Sequence, residues 1–299
     1  MTQHLYLSQV RTVMPNLAIE KVEQSNGQFS DVMIINHEWI FRFPRYREGV
    51  ARLHSEERLL EILNGQLPLP TPAPAHRSFD PPVPGLAFLS YRRLPGEPLM
   101  PETLDLIRDD IMRDSMARLL AAFIRALHGF SLLNLPADLP GAPHKGGICE
   151  QHASWEAFYQ EVRSRLFAAM RPAAHQAVTR HFEAYLDDSS LHDFTPCLRN
   201  GDLGGSNILW DPQSGAITAV VDFSSCAIGD PAYDLASIST LGADFFERLS
   251  QRYDPDPTRH ALLLARARFY RGTFALSEAL AGLRDGNRIA YQRGMEEYV

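Results

Sequence analysis

Asn200-Gly201-Asp202-Leu203-Gly204-Gly205-Ser206-Asn207-Ile208-Leu209-Trp210 decides the reading of this chain. The first eight residues are glycine and short polar side chains with one leucine, a loop composition, and the next three are apolar as in a strand. Asp211-Pro212-Gln213-Ser214-Gly215 then makes a turn into a second apolar run, Ile217–Phe223, which holds Asp222. The pattern predicts a hairpin with Asp202, Asn207 and Asp222 gathered at one end. Phosphoryl transfer needs such a set: a base to orient the attacking hydroxyl, and hard oxygen ligands for a Mg²⁺ that bridges the phosphates. A D-x-x-x-x-N spacing by itself is weak, since about one chance occurrence is expected in a chain this long. A polar turn capped by Asp and Asn is the plain alternative. The setting favours the site, because the spacing falls in a glycine-rich loop whose hairpin ends in another carboxylate.

Working outward, the 299 residues suggest two lobes, since a single core stops growing at about 250–300 residues. Hydrophobic residues make up 45% and charged residues 22%, an ordinary globular mixture. The net charge of −7 argues against nucleic acid as a partner and favours a cationic or neutral small molecule. Cys149, Cys197 and Cys226 are widely spaced, so neither a disulfide framework nor a cysteine zinc site is expected, and the reducing cytoplasm is the default. The stretch from Met1 to Pro15 lacks a signal-peptide pattern, and no apolar run is long enough for a membrane span.

Before residue 92 the chain reads as mostly β. Val32–Ile35 and Trp39–Phe43 flank Asn36-His37-Glu38 as a hairpin, preceded by a turn-forming segment at Ser25–Ser30. Ala51–Gly65 has the period of an amphipathic helix. Leu67 to Pro84 carries seven prolines in eighteen positions, which predicts an extended connector, and a strand follows at Leu86–Tyr91. Beyond a linker near 91–97 the pattern is helical at Ile111–Leu127, Trp155–Met170, Ala173–Leu186, Asp244–Arg252, Thr258–Arg284 and Arg288–Tyr298. The expected fold is α+β and bilobal, with a small β-rich lobe over 1–92 and a larger helical lobe over 93–299, and ligands favour the cleft between such lobes.

The loop quoted above, Val221-Asp222-Phe223 and Gly229-Asp230-Pro231-Ala232-Tyr233-Asp234-Leu235-Ala236 together resemble the aminoglycoside phosphotransferase family of small-molecule kinases. Trp39–Pro44, Glu56–Leu63, Leu67–Pro70 and Tyr91–Leu99 extend the likeness, the last most similar to the 2″-type branch. The resemblance implies a protein-kinase-like fold, ATP or GTP as phosphoryl donor, Mg²⁺, and a hydroxyl-bearing acceptor, with antibiotic resistance as the associated role. It makes Asp202 similar to the catalytic base and matches Asn207 and Asp222 to the metal-holding positions. Arg42 stands where the family usually has the phosphate-gripping lysine, and Glu56 is similar to that lysine's helix partner. Leu89-Ser90-Tyr91-Arg92 resembles the segment whose backbone pairs with the purine. Gly27 lies where the phosphate-covering loop falls, although that loop has one glycine rather than a repeat.

Two departures stand out. Asn200 replaces the family's loop-shaping His, and its carboxamide still offers a donor and an acceptor. A guanidinium at Arg42 is larger than an ammonium, yet its flat fork can grip phosphate oxygens while pairing with Glu56. Of the remaining residues, His128 reads as structural at a helix C-terminus, and Asp230 and Asp234 as loop anchors and helix caps. Phe245, Phe246, Phe269, Tyr270 and Phe274 read as helical core, although Glu247, Tyr270 and Glu278 are candidates to face an amino sugar. Arg266 and Arg268 read as a solvated face. An aminoglycoside is the first acceptor expected, with choline-, homoserine-, macrolide- and sugar-type alcohols as competitors. A nucleotide-binding pseudokinase is the competing class, resting on Asn200 and the thin glycine loop. A monomer is the default.

Overall fold

A computed structural model describes residues 2–27, 30–141 and 148–299. After helix α1 (Thr2–Val13) come strands β1 (Val22–Asn26), β2 (Ser30–Ile35) and β3 (Trp39–Pro44), helix α2 (Arg47–Leu63), and strands β4 (Pro74–Ser78) and β5 (Phe88–Arg92). They form one antiparallel sheet in the order β1-β2-β3-β5-β4. Asn36 and His37 turn the β2–β3 hairpin with positive φ values of 52° and 58°, the left-handed pair that matches strand twist. Asn36 Oδ1 also accepts from the Glu20 and Lys21 amides, which fixes the entry to β1.

Alternation along the strands decides what each face meets. Trp39, Phe41 and Phe43 join Met33, Ile35 and Phe88 in a core capped by α1, where Tyr6 stacks on Phe43 at 4.0 Å. Arg42 therefore falls on the opposite face, the one covered by α2. Leu53, Leu59, Leu60 and Leu63 of α2 pack there with Leu89 and Tyr91 of β5 in the larger core.

Three expectations shift in this lobe. The helix read at Ala51–Gly65 begins at Arg47, a first turn whose only large apolar residue is Val50. Strand β1 runs through Ser25 and Asn26, which had been read as turn, and Gln28 and Phe29 of that segment lie outside the described residues. The proline connector contains β4. This strand is tolerated because it lies at the sheet edge, where Pro74 owes no ladder hydrogen bond, and the register shifts between Pro74 and His76.

Past the linker, β6 (Glu97–Pro98) pairs at once with β8 (Ile208–Asp211), which pairs with β9 (Ala216–Val220). Gly96, at φ 116°, passes so close to Trp210 and Thr218 that a Cβ would clash with both. The helices are α3 (Pro101–Leu106), α4 (Asp110–His128), α5 (Ile148–Arg165), α6 (Pro172–Leu186), α7 (Ala232–Ile238), α8 (Ala243–Tyr253), α9 (Pro257–Asp285) and α10 (Arg288–Met295). Asp109 caps α4 through the Ile111 and Met112 amides, and Asp256 caps α9 through the Arg259 amide. Among the described residues no helix is long and apolar enough to cross a membrane.

A pair of three-residue strands, β7 (Cys197–Arg199) and β10 (Ala227–Gly229), positions the site. β7 leads into the loop 200–207 and β8 leaves it. β9 leads into 221–226 and β10 leaves that segment. Because β7 pairs with β10 and β8 with β9, the two loops are held side by side at both ends.

Candidate active site

The loop 200–207 is built on a carboxylate beneath it. Asp234, fully buried in the first turn of α7, accepts the Gly201 amide on Oδ1 at 2.7 Å and the Asn200 amide on Oδ2 at 2.8 Å. Its Oδ2 also lies 3.0 Å from His128 Nε2, whose Nδ1 is 2.8 Å from the Tyr253 hydroxyl. The ring bridges the Asp234 carboxylate and the Tyr253 hydroxyl. His128 is thus a structural bridge from α4 to α7 and α8. Gly201 has φ 85°, and a Cβ there would meet the Ser225 carbonyl, so the loop and the 221–226 segment touch backbone to backbone.

Asn200 ties the two loops together. Its Oδ1 accepts the Asp202 amide at 2.9 Å, and its Nδ2 donates to the Asp222 carbonyl at 3.0 Å. Both halves of the carboxamide are used, so the loop keeps side-chain support without the family's His. Asn207 Nδ2 donates to the Asp202 carbonyl at 2.9 Å and to Asp202 Oδ2 at 3.0 Å, which orients that carboxylate. With the amide nitrogen spent, Asn207 keeps Oδ1 as a hard oxygen donor.

Asp202 is pushed up to about 6, first by desolvation in the cleft and then by the Asp222 carboxylate, with Asn207 opposing. Its surface is nevertheless exposed, so it is open to a ligand. Asp222 adopts φ 58°, a left-handed conformation that Asp tolerates, and its Oδ1 accepts the Ser224 amide at 3.1 Å.

From the opposite lobe, Arg42 Nη1 donates to Glu56 Oε1 at 2.5 Å, and Nη2 lies 3.9 Å from Asp222 Oδ1. Both side chains of the Arg42–Glu56 pair are at least nine-tenths buried. Burial alone would lower Arg42, but the charges of Glu56, Tyr91 and Asp222 outweigh it and hold the guanidinium above its ordinary value. Burial pushes the Glu56 carboxyl up against the pull of Arg42. Tyr91, beside this pair, is raised to about 12 by burial, against Arg42.

The structure therefore brings Asp202, Asn207, Asp222, Arg42, Glu56 and Tyr91 into one connected cluster. Ser90 and Arg92 stand apart by their side chains: Ser90 Oγ accepts the His76 amide within the sheet, and Arg92 stacks on Trp39 at 4.6 Å. On the β4 side the ladder stops at Tyr91, so Arg92 is the first residue of β5 paired to β3 alone. Gly27 closes the β1–β2 turn by donating to the Ser30 carbonyl. Sequence reading missed the cation beside it: Arg45 Nη1 donates to the Gly27 carbonyl at 3.3 Å, and its Nε lies 3.7 Å from Asp31 Oδ1. Nothing in the sequence signals this contact, which depends on the register of β1 with β2.

One expectation is corrected around α9, and Tyr270 takes the helical-core place first read for it. Arg266 does not belong to a solvated face: it is buried, with Nε 2.8 Å from Asp230 Oδ2 as an ion pair whose angle is not that of a hydrogen bond. Residues 266 and 268 lie about 200° apart on a helix, so one turns inward while Arg268 stays exposed. Tyr270 does not face the cleft either; it is buried and donates to Asp230 Oδ2 at 2.8 Å. Asp230 Oδ1 in turn accepts the amide of Ala232, the first residue of α7, so this group steadies the start of the helix that carries Asp234. Arg266→Met should cost about 3–5 kcal/mol, because it leaves a buried carboxylate without its cation. Urea unfolding of the variant checks this, and an unchanged midpoint would contradict it.

Glu247 is exposed and accepts from Gln251, while Glu278 is paired with Arg293. A groove of about 770 Å³ runs from Gly27 and Arg45 to Glu278, Asp285 and Arg293. No group of three or more His, Cys, Asp or Glu side chains that could hold a metal is present among the described residues. Asn207 and Asp222 do fit Mg²⁺, which uses one or two protein oxygens and completes its shell with phosphates and water.

Comparison with known proteins sets this geometry among relatives. The "Phosphotransferase enzyme family" matches residues 22–263. A viomycin phosphotransferase from Streptomyces vinaceus is 31% identical over 301 residues, spanning 96% of this chain and 95% of its own. The GDP and kanamycin complex of APH(2")-IIia aligns with a TM-score of 0.85 at 24% identity, over 97% of this chain and 96% of that one. Macrolide 2'-phosphotransferase MphH from Brachybacterium faecium aligns with a TM-score of 0.71 at 21% identity, over 98% of each. The two structures share the fold.

Proposed function

The chain belongs to the phosphotransferase enzyme family, and from that premise we propose a kinase that moves the terminal phosphoryl of ATP or GTP to a hydroxyl of a cationic, aminoglycoside-like antibiotic. The observation that carries this reading is the meeting of Asp202, Asn207 and Asp222 with the Arg42–Glu56 pair at one cleft. In it the donor half spans 1–92, where the five-stranded sheet lies, and the acceptor half spans 93–299. Arg42 grips phosphate oxygens, Gly27 covers them, and the backbone at Ser90, Tyr91 and Arg92 borders the purine. Asp202 accepts the acceptor's proton while Asn207 fixes its carboxylate plane. Asn207 and Asp222 are the residues that would hold Mg²⁺, which when bound neutralises charge on the phosphates.

The retained Asp202 and the fully used Asn200 carboxamide favour an enzyme over a binder. The relative named for viomycin supports an antibiotic acceptor. The chain's net negative charge supports a cationic one. Nucleoside triphosphate chemistry and the buried free thiols of Cys197 and Cys226 suit the cytoplasm. A nucleotide-consumption screen with ATP and GTP against aminoglycosides, cyclic peptide antibiotics and neutral alcohols tests the proposal. Turnover with a cationic antibiotic is expected, and its KM should rise with salt, because exposed charge pairs are screened beyond about 8–10 Å at physiological ionic strength. Turnover with neutral alcohols alone would overturn the acceptor class and leave the kinase standing.

The phosphate grip has its own test. Arg42→Ala should weaken Mg-nucleotide binding by about 1.5–3 kcal/mol, the worth of a charged hydrogen bond. Arg42→Lys should recover part of that loss, since an ammonium keeps the charge without the fork. Unchanged affinity of Arg42→Ala in calorimetry would sink the assignment.

A further inference from the structure

Beside α2 lies a cavity of about 280 Å³ between the helix and the segment that follows Asp222. Leu59, Leu139 and Phe223 give it apolar walls, Ser55 and Glu56 supply polar groups, Arg52 and Asp138 add one charge of each sign, and exposed Ala51 lies at its rim. Two of those polar groups are orphaned. Ser55 Oγ and Glu56 Oε2 are buried with no hydrogen-bond partner among the described residues. The Phe223 amide lies close enough to favour the ionised Glu56 carboxyl without completing a hydrogen bond to Oε2. Glu56 is the residue whose other oxygen holds Arg42. An unmet buried acceptor is costly, and a mostly apolar cavity with a few convergent polar groups is the usual form of a small-molecule site.

We propose that this cavity binds small neutral aryl carboxamides and that its occupancy is coupled to nucleotide binding through Glu56. The chemistry selects the class. A primary amide N–H donates to Glu56 Oε2, its carbonyl accepts from the Ser55 hydroxyl, and the ring lies against Leu59, Leu139 and Phe223. A carboxylate in the same place would meet two carboxylates, Glu56 and Asp138, against the single cation Arg52. A purely apolar ring would leave both orphaned atoms unmet. A ligand that fixes Oε2 also fixes the carboxylate plane that Oε1 presents to Arg42, and it bridges α2 to the backbone beside Asp222. The coupling rests on the nucleotide reading proposed above; the binding site does not.

Benzamide is the probe, with benzoate as control, followed by calorimetry and ligand-observed NMR on the full chain. Wild type should bind benzamide saturably and ignore benzoate. Ala51→Trp, at an exposed helix position, fills the rim and should abolish binding. Ser55→Ala should weaken it by about fivefold. Neither variant should alter Mg-nucleotide affinity when benzamide is absent. Saturating benzamide should shift the nucleotide Kd of wild type by about fivefold or more, and saturating nucleotide should shift the benzamide Kd by the same factor. Lack of saturable binding would mean that the cavity holds water alone and would overturn the site. So would binding indifferent to Ala51→Trp, or strict competition between benzamide and nucleotide, which would place the probe in the nucleotide cleft. If neither ATP nor GTP binds, benzamide binding that Ala51→Trp abolishes still upholds the site, and the nucleotide reading is what fails.

Discussion

Asp202→Asn should lower turnover by about 10²–10⁴-fold, the usual loss when a positioned base is removed, while Mg-nucleotide affinity stays nearly unchanged. The substitution keeps the shape of the side chain. The Asp202 amide still donates to Asn200 Oδ1, and an Asn oxygen can still accept from Asn207 Nδ2. What is lost is the negative charge and the basicity. That basicity is tuned: desolvation and the neighbouring Asp222 raise the Asp202 carboxyl to about 6, nearer to neutral pH than an exposed carboxylate would be. A better-matched acceptor takes the hydroxyl proton more readily as the phosphoryl group departs. Steady-state turnover against calorimetric nucleotide affinity separates the two terms. A pure nucleotide binder would show no acceptor-dependent turnover in wild type and no effect of the substitution. A loss of nucleotide affinity equal to the loss of rate would instead place Asp202 on the metal.

How far the site was legible depended on how local its causes are. Loop 200–207 could be read because glycine, Asp and Asn report turn geometry within a few residues, and the apolar run after it reports the strand. Arg42 was reached through the family resemblance; the physical reason it lands toward α2 is strand alternation, a period of two in which Trp39, Phe41 and Phe43 mark the other face. β7 and β10 were not legible. Strands of three residues carry no period, and each exists because the other pairs with it from across the loop. Helix α1 was read only as lacking a signal-peptide pattern; its buried contacts, Tyr6 and Val10, become visible only with the sheet in place. Arg266 failed for the same reason. An Arg-Ala-Arg stretch looks solvated until Asp230, supplied by the turn before α7, appears beside it.

Asp222 tests the other half of the chemistry, and its backbone makes two substitutions necessary. Asp222→Ala should abolish the magnesium-dependent part of nucleotide binding together with turnover, because in the function proposed above it removes the carboxylate that would hold the ion next to Arg42. Asp222 sits at φ 58°, a conformation that costs an L-residue about 1–2 kcal/mol and that Asp and Asn offset by a local side-chain hydrogen bond that alanine lacks. Asp222→Ala should therefore also be less stable, and instability alone could imitate lost binding. Asp222→Asn resolves the two. It keeps the left-handed residue, an oxygen for the Ser224 amide and the carbonyl held by Asn200, and discards only the charge. Its unfolding midpoint should match wild type while its affinity for nucleotide no longer responds to magnesium. Equal nucleotide affinity for wild type and Asp222→Asn in saturating magnesium would refute the metal assignment and move the ion to Asp202, the remaining carboxylate that Asn207 touches.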